Sequence, residues 1–138
     1  MMYGQEELTV KKQSIPAFIL LALSLVIAIG SQTFFSPCVH EDGAFGPCHW
    51  AGKTLLGLGC ALGVLAVLSL VMQRARCGAY LSALPLCLLG ILTPGTLIDL
   101  CRMSTMRCRM VMQPAMMILF SAALAAALIG AILTGRKQ

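Results

Sequence analysis

The sequence predicts an all-α fold, a bundle of four transmembrane helices under a cysteine-rich extracytoplasmic cap. Three observations carry that expectation. Residues 15–35, 54–72, 79–98 and 114–133 form four runs of 19 to 21 residues without a single Lys, Arg, Asp, Glu or His. A helix rises about 1.5 Å per residue, so about 20 residues cross a hydrocarbon core of about 30 Å. The composition, 59% hydrophobic and 11% charged with a mean hydropathy of +0.89, leaves too little polar surface for a soluble domain of this size. Basic pairs also recur in alternate gaps between the runs: Lys11 with Lys12, Arg74 with Arg76, and Arg136 with Lys137. The positive-inside rule places those gaps in the cytoplasm. An open strand would leave backbone groups unpaired in lipid, so each run is read as helix.

The elements follow in order. Residues 1–14 are polar and form a cytoplasmic tail or interfacial stub. Helix 1 is expected at about 15–36. It resembles a signal peptide in following Lys11 and Lys12, but the apolar stretch is too long and Phe34-Phe-Ser-Pro37 stands where a small-residue cleavage site would be. An outer loop then carries Cys38 and Cys48. Helix 2 is expected at about 51–73, with Gly59 and Gly63 in a G-x-x-x-G spacing that lets backbones approach. These glycines are read as packing inside the bundle, a homodimer face being the alternative. The short segment around residues 73–78 makes helices 2 and 3 antiparallel neighbours. Helix 3 is expected at about 79–99, locally disturbed at Pro85. A second outer loop carries Cys101 and Cys108. Helix 4 is expected at about 113–134, with Ala122, Ala123, Ala125, Ala126, Ala127 and Gly130 as a surface of small side chains. The membrane domain is thus 15–135, and 136–138 is a second cytoplasmic tail. Trp50 and Tyr80 stand at helix starts that suit interfacial anchoring.

The two hairpins read as a parallel repeat. Thr33-Phe-Phe-Ser-Pro-Cys38 and Thr96-Leu-Ile-Asp-Leu-Cys101 each set a Thr five residues before the first Cys of a pair, although nine residues separate Cys38 from Cys48 and six separate Cys101 from Cys108. Such repeats are related by an axis along the membrane normal.

The four outer cysteines admit three readings. In the first, Cys38–Cys48 and Cys101–Cys108 are disulfides closing the loops, each stabilising by roughly 2–3 kcal/mol on the chain-entropy estimate; four cysteines also permit crossed pairings. In the second, the pairs are redox-active, an outline shared with four-helix membrane oxidoreductases that pass electrons to a quinone. This chain has no C-x-x-C, the spacing that lowers a thiol pKa, though Cys48 and Cys108 each precede a helix start. In the third, Cys48, His49, Met106 and Cys108 hold a soft metal. Thiolate, thioether and imidazole suit Cu(I), or haem iron, and Met103, Met106, Met110 and Met112 make this loop methionine-rich. Cys60 and Cys87 lie within helices as ordinary small apolar residues, and Cys77 is a reduced thiol at the inner face.

Arg102, Arg107 and Arg109 run against the positive-inside pattern. Either the inner charges outvote them, or they hold an anionic group such as a lipid head, a quinone carbonyl or a carboxylate of a partner. The apolar runs carry no charge of the kind that marks a conduction or proton path, which disfavours a stand-alone channel or pump. The net charge of +5 is accounted for by topology and gives no argument for nucleic acid.

Two sets of residues carry a resemblance. Cys38…Asp42-Gly43…Cys48-His49-Trp50-Ala51-Gly52 and Leu97-Ile98-Asp99-Leu100-Cys101…Met106-Arg107-Cys108…Gln113-Pro114-Ala115 resemble a family of small four-helix bacterial membrane proteins catalogued as a domain of unknown function. The resemblance covers roughly residues 15–135. It implies a bacterial inner membrane, in which the basic gaps put both termini on the cytoplasmic side. It also implies a setting beside transporters of the ABC type, some of them metal-related. The reading is therefore a non-enzymatic accessory subunit of a transporter-type assembly, partnered by the lipid bilayer and by ABC-type subunits or a second copy, with a disulfide-stapled or metal-handling outer cap. The alternative is a membrane thiol–disulfide or electron-transfer protein that uses quinone or a Cu or haem site.

Overall fold

Four helices follow one another: α1 (Tyr3–Gly30), α2 (Pro47–Val71), α3 (Arg76–Leu92) and α4 (Gln113–Gly135). The computed structural model describes the backbone of residues 3–33, 47–98 and 108–136 and the side chains of 11–33, 49–98 and 109–136. Four spans are long and apolar enough to cross a membrane, at Lys11–Gly30, His49–Val71, Gln73–Leu92 and Arg109–Gly135, the last two taking in the turns that lead into α3 and α4. Each helix packs mainly on its neighbours in sequence, α1 on α2, α2 on α3 and α3 on α4, and α4 returns to α1 to close the ring. This is the up-down-up-down bundle that short connections favour. Both ends of the described chain and the α2–α3 turn lie at one end, called inner below. The ends of α1 and α3 and the starts of α2 and α4 lie at the other end, called outer below.

Boundaries depart from the sequence expectation, most at the start of α1 and the end of α3; α1 also closes at Gly30 instead of about 36, and α2 opens at Pro47 instead of about 51. α1 begins at Tyr3 instead of about 15, so residues taken as a tail are helical. Gln5, Glu6, Glu7 and Leu8 belong to the strong helix-forming types, which lets the backbone continue beyond the apolar span. α3 ends at Leu92 instead of about 99. Thr93 keeps helical backbone, its N–H bonded to the Leu89 carbonyl, but Pro94 has no N–H to continue the ladder, and Gly95 adopts φ 96°, a left-handed conformation that turns the chain. The turn is held by Leu97 N–H on the Leu92 carbonyl at 3.1 Å and Ile98 N–H on the Thr93 carbonyl at 3.2 Å. A π-helical turn, Cys108–Met112, leads into α4. Continued as α-helix, this segment would need a Pro114 N–H for the Met110 carbonyl, which proline lacks, and a π turn stands there instead. α3, by contrast, runs through Pro85 without a break.

The packing is that of a bundle in lipid. Along α1 the buried positions are Ala17, Leu20, Ser24, Ile27 and Ser31, and along α2 they are Ala51, Leu55, Leu62, Ala66 and Ser69. The spacing of three and four residues keeps one stripe of each helix inward. α3 and α4 contribute Ala83, Cys87, Met116, Phe120, Ala123 and Ala127. Much of this interior is small, whereas large apolar side chains point outward: Phe18, Ile29, Val71 and Ile118 are 60%, 58%, 74% and 68% exposed. In water such a belt is unfavourable, and in a bilayer it is solvated by lipid tails while small residues bring helices together.

Close approach is greatest between α3 and α4. A β-carbon on Gly90 would lie 2.3 Å from the Phe120 ring, and one on Gly130 would lie 2.6 Å from the Tyr80 ring. Each helix offers one aromatic ring and one bare backbone ten residues away, in opposite senses, so the two contacts fix the antiparallel register. Gly59 faces the backbone of Ala28 and Gly63 the side chain of Ser24, so the G-x-x-x-G of α2 packs within the bundle, as expected. Tyr80 corrects an expectation. It is fully buried against α4 and does not anchor the chain at the interface, whereas Trp50 is 63% exposed.

Candidate functional site

The sequence points to the outer end, where α1 and α3 finish and α2 and α4 begin. Thr33 Oγ1 donates to the Ile29 carbonyl at 2.9 Å, returning a hydrogen bond to the helix it leaves. On α3 the matching role belongs to Thr93, whose Oγ1 donates to the Leu89 carbonyl at 2.6 Å. The structural counterpart of Thr33 is therefore Thr93, three residues before the Thr96 that the sequence pattern aligns with it. Gln32 Nε2 reaches the Gly52 carbonyl at 3.4 Å and ties α1 to the start of α2. Gln113, opening α4, lies over the bare backbone of Gly95: a β-carbon there would stand 2.6 Å from Gln113 Nε2. Both hairpins are thus pinned at their outer ends by a glutamine against a glycine.

On this platform the candidate residues divide. Cys38, Cys101, Arg102, Met106 and Arg107 lie outside the described residues. Cys48 is the second residue of α2 and Cys108 the first of the π turn, both described by backbone alone. The topology brings these two helix starts to the same end. His49 is half-buried, with its ring edge-on to Trp50 at 6.2 Å between centroids. Arg109 is exposed. Of the methionines flanking the second pair, Met110 is exposed, while Met112 is buried and belongs to the core. Among the described residues no three His, Cys, Asp or Glu side chains converge as metal ligands.

The inner end holds a polar cluster that sequence reasoning missed. Arg74 and Arg76 were expected in a loop. Arg74 instead lies in a 3-10 turn, Gln73–Ala75, and Arg76 opens α3 and is buried. Arg76 Nε donates to the Ser69 carbonyl at 2.7 Å, satisfying one of the last carbonyls of α2. The Ser69 hydroxyl in turn donates to the Ala66 carbonyl at 2.7 Å. The Tyr80 hydroxyl approaches Ser69 and Arg76 but completes no hydrogen bond. A signal for this existed. The inward positions Ala83, Cys87 and Gly90 extend backwards by three and seven residues to Tyr80 and Arg76, which places both on the buried stripe. At the same end Gln13 Nε2 donates to the Leu133 carbonyl at 3.3 Å and ties α1 to α4.

Two furrows mark the lipid-facing surface. One, of about 480 Å³, runs between α1 and α2 past Ser24, Gly59, Cys60 and Gly63. The other, of about 220 Å³, runs between α1 and α4 with Lys12 at its edge.

The family described as a domain of unknown function (DUF4418) matches residues 20–133, in keeping with the resemblance read from the loop motifs. No curated protein and no solved structure shows significant similarity to the chain.

Proposed function

We propose, on the premise that the chain belongs to the DUF4418 family of domains of unknown function, that this small membrane protein is a non-enzymatic accessory subunit of a transporter-type membrane assembly. It lies in a bacterial inner membrane with both termini inside, and acts through the end that bears Cys38, Cys48, Cys101 and Cys108. The packed interior carries this reading. Leu20, Ile27, Leu55, Leu62, Met116 and Phe120 fill the space between the helices at 1% exposure or less. The only charged side chain among the buried residues described, Arg76, sits at the inner edge and is hydrogen-bonded to backbone. Such a bundle offers its ends and its lipid face for function, not its axis. The outer cap is stapled by disulfides within each loop, or handles a soft metal such as Cu(I) or a haem, and Arg102, Arg107 and Arg109 engage an anionic group on a partner.

The test is gentle solubilisation from native membranes at the natural expression level, with crosslinking before extraction. The chain is expected to migrate with transporter subunits. Changing Arg102, Arg107 and Arg109 together to Gln should release it without altering its thermal unfolding. Metal content and the visible spectrum of the same preparation read the metal branch.

One observation favours a second reading. Cys48 and Cys108 both stand in the first turn of a helix, where the macrodipole stabilises a thiolate. A membrane thiol–disulfide protein passing electrons to a quinone would use that placement. Quinone-dependent disulfide formation by the purified chain alone, lost on changing Arg102 or Arg107, would establish this reading and displace the first.

A further inference from the structure

The furrow between α1 and α4 has mixed chemistry. Its walls are Ile15, Ile19, Ala126, Ile129 and Leu133, all apolar, and Lys12 is the charged residue that lines it. Lys12 precedes the uncharged part of α1, so the cation stands at the inner end of the furrow and the carbon-lined part extends towards the bilayer centre. The Gln13–Leu133 hydrogen bond holds α1 and α4 together at that end. Arg136, exposed one turn beyond Ile132, adds a second cation at the same end of α4. Among the described residues no acidic side chain lines the furrow.

We propose that this furrow binds an anionic phospholipid of the surrounding bilayer. An acyl chain lies against Ile15, Ile19, Ile129 and Leu133, and the phosphate is held by Lys12 with Arg136 nearby. Charge complementarity decides the occupant. A transmembrane helix seated here, whether from a partner or a second copy, would cover Lys12 and leave its ammonium without a counter-charge, which is costly in a low-dielectric setting. A lipid phosphate supplies the counter-charge at the depth where a lysine reaches the interface, and basic sites between helices on the inner side are suited to anionic head groups. The larger furrow between α1 and α2 has only Ser24 and Cys60 as heteroatom side chains and no charge, so nothing there selects a ligand. The proposal does not depend on the accessory role.

The experiment uses the full chain, purified and delipidated in a neutral detergent. Native mass spectrometry follows the adducts as phosphatidylglycerol or phosphatidylcholine of the same chain length is added. Phosphatidylglycerol should bind at several-fold lower concentration, and added salt should erase that preference by screening. Lys12→Gln should weaken phosphatidylglycerol binding about fivefold, the contribution of one basic residue near an anionic membrane surface. Lys11→Gln, one position away and outside the furrow, should leave it unchanged. Ile129→Trp, which fills the furrow and keeps Lys12, should weaken both lipids. Each variant is first checked for the unfolding transition of the parent. Equal affinity for the two lipids, equal loss with Lys11→Gln and Lys12→Gln, or unchanged binding with Ile129→Trp would overturn the site.

Discussion

At the scale of single residues, the most consequential contacts join rings to glycines. Phe120 sits where a side chain on Gly90 would be, and Tyr80 does the same at Gly130. Gly90→Ala should therefore destabilise the bundle by roughly 1–3 kcal/mol, the usual cost of overpacking a tight core, although Ala is the better helix former by roughly 1 kcal/mol. Gly57 gives the opposite expectation. A β-carbon there meets nothing within 4 Å, so Gly57→Ala should hold or raise the unfolding temperature. Thermal unfolding in detergent compares the two. A Gly90→Ala protein as stable as its parent would show that the α3–α4 contact is looser than described. Adding Phe120→Leu should restore part of the loss, because the shorter side chain yields the space. These contacts were hard to read from sequence. A glycine in an apolar helix signals close approach without naming its partner, and Tyr80 looks like an interfacial residue until the stripe running through Ala83 and Cys87 is extended back to it.

At the scale of elements, four helices were legible because an uncharged run of about 20 residues has one stable form in lipid. Their ends were less so. Apolar composition continues through Thr93, Pro94 and Ile98, but the helix stops at Leu92 because Pro94 and Gly95 impose backbone geometry that hydropathy does not register. The dipeptide itself was the missed signal. Gly95→Ala should test the turn. Holding an alanine at φ 96° costs on the order of 1–3 kcal/mol, and the new methyl would also displace the Gln113 carboxamide. Removing the carboxamide by Gln113→Ala should relieve only the second effect, so most of the loss in unfolding temperature should remain. Full recovery would mean that crowding, and not backbone strain, governs the turn. At the other end of α3, Arg76 was taken for a loop cation because charge is the usual mark of a loop. Its bond to the Ser69 carbonyl makes it part of the α2–α3 joint.

At the scale of the whole molecule, the distribution of side chains is what a bilayer selects: Ala, Ser and Gly bring the helices together around a few large buried side chains such as Leu20, Ile27 and Phe120, while many Leu, Ile and Val side chains face outward. Hydropathy alone revealed that the chain enters a membrane, and the alternation of basic gaps grouped the termini with the α2–α3 turn at one end, an arrangement that the four-helix ring also has. Less of the candidate site was legible. Cysteine spacing is compatible with staples, redox pairs or soft-metal ligands, since all three need sulfur at short separation. What the fold adds is that the starts of α2 and α4 bring Cys48 and Cys108 to a shared end, on a platform pinned by Gln32 and Gln113. The three cysteines away from the outer end differ sharply: Cys60 faces lipid, Cys77 is half-buried at the inner end and Cys87 is enclosed. That difference gives the most direct test of the central claim, a membrane bundle whose sulfur-bearing end faces outward. Intact cells and inverted vesicles are treated with a membrane-impermeant maleimide, with and without prior reduction, and the labelled cysteines are identified by peptide mapping. Cys38, Cys48, Cys101 and Cys108 should be labelled in intact cells, after reduction if the loops are stapled and without it if they are not, Cys77 only in inverted vesicles, and Cys60 and Cys87 in neither. Labelling of Cys77 in intact cells, with the four outer cysteines reached only from inverted vesicles, would contradict that claim.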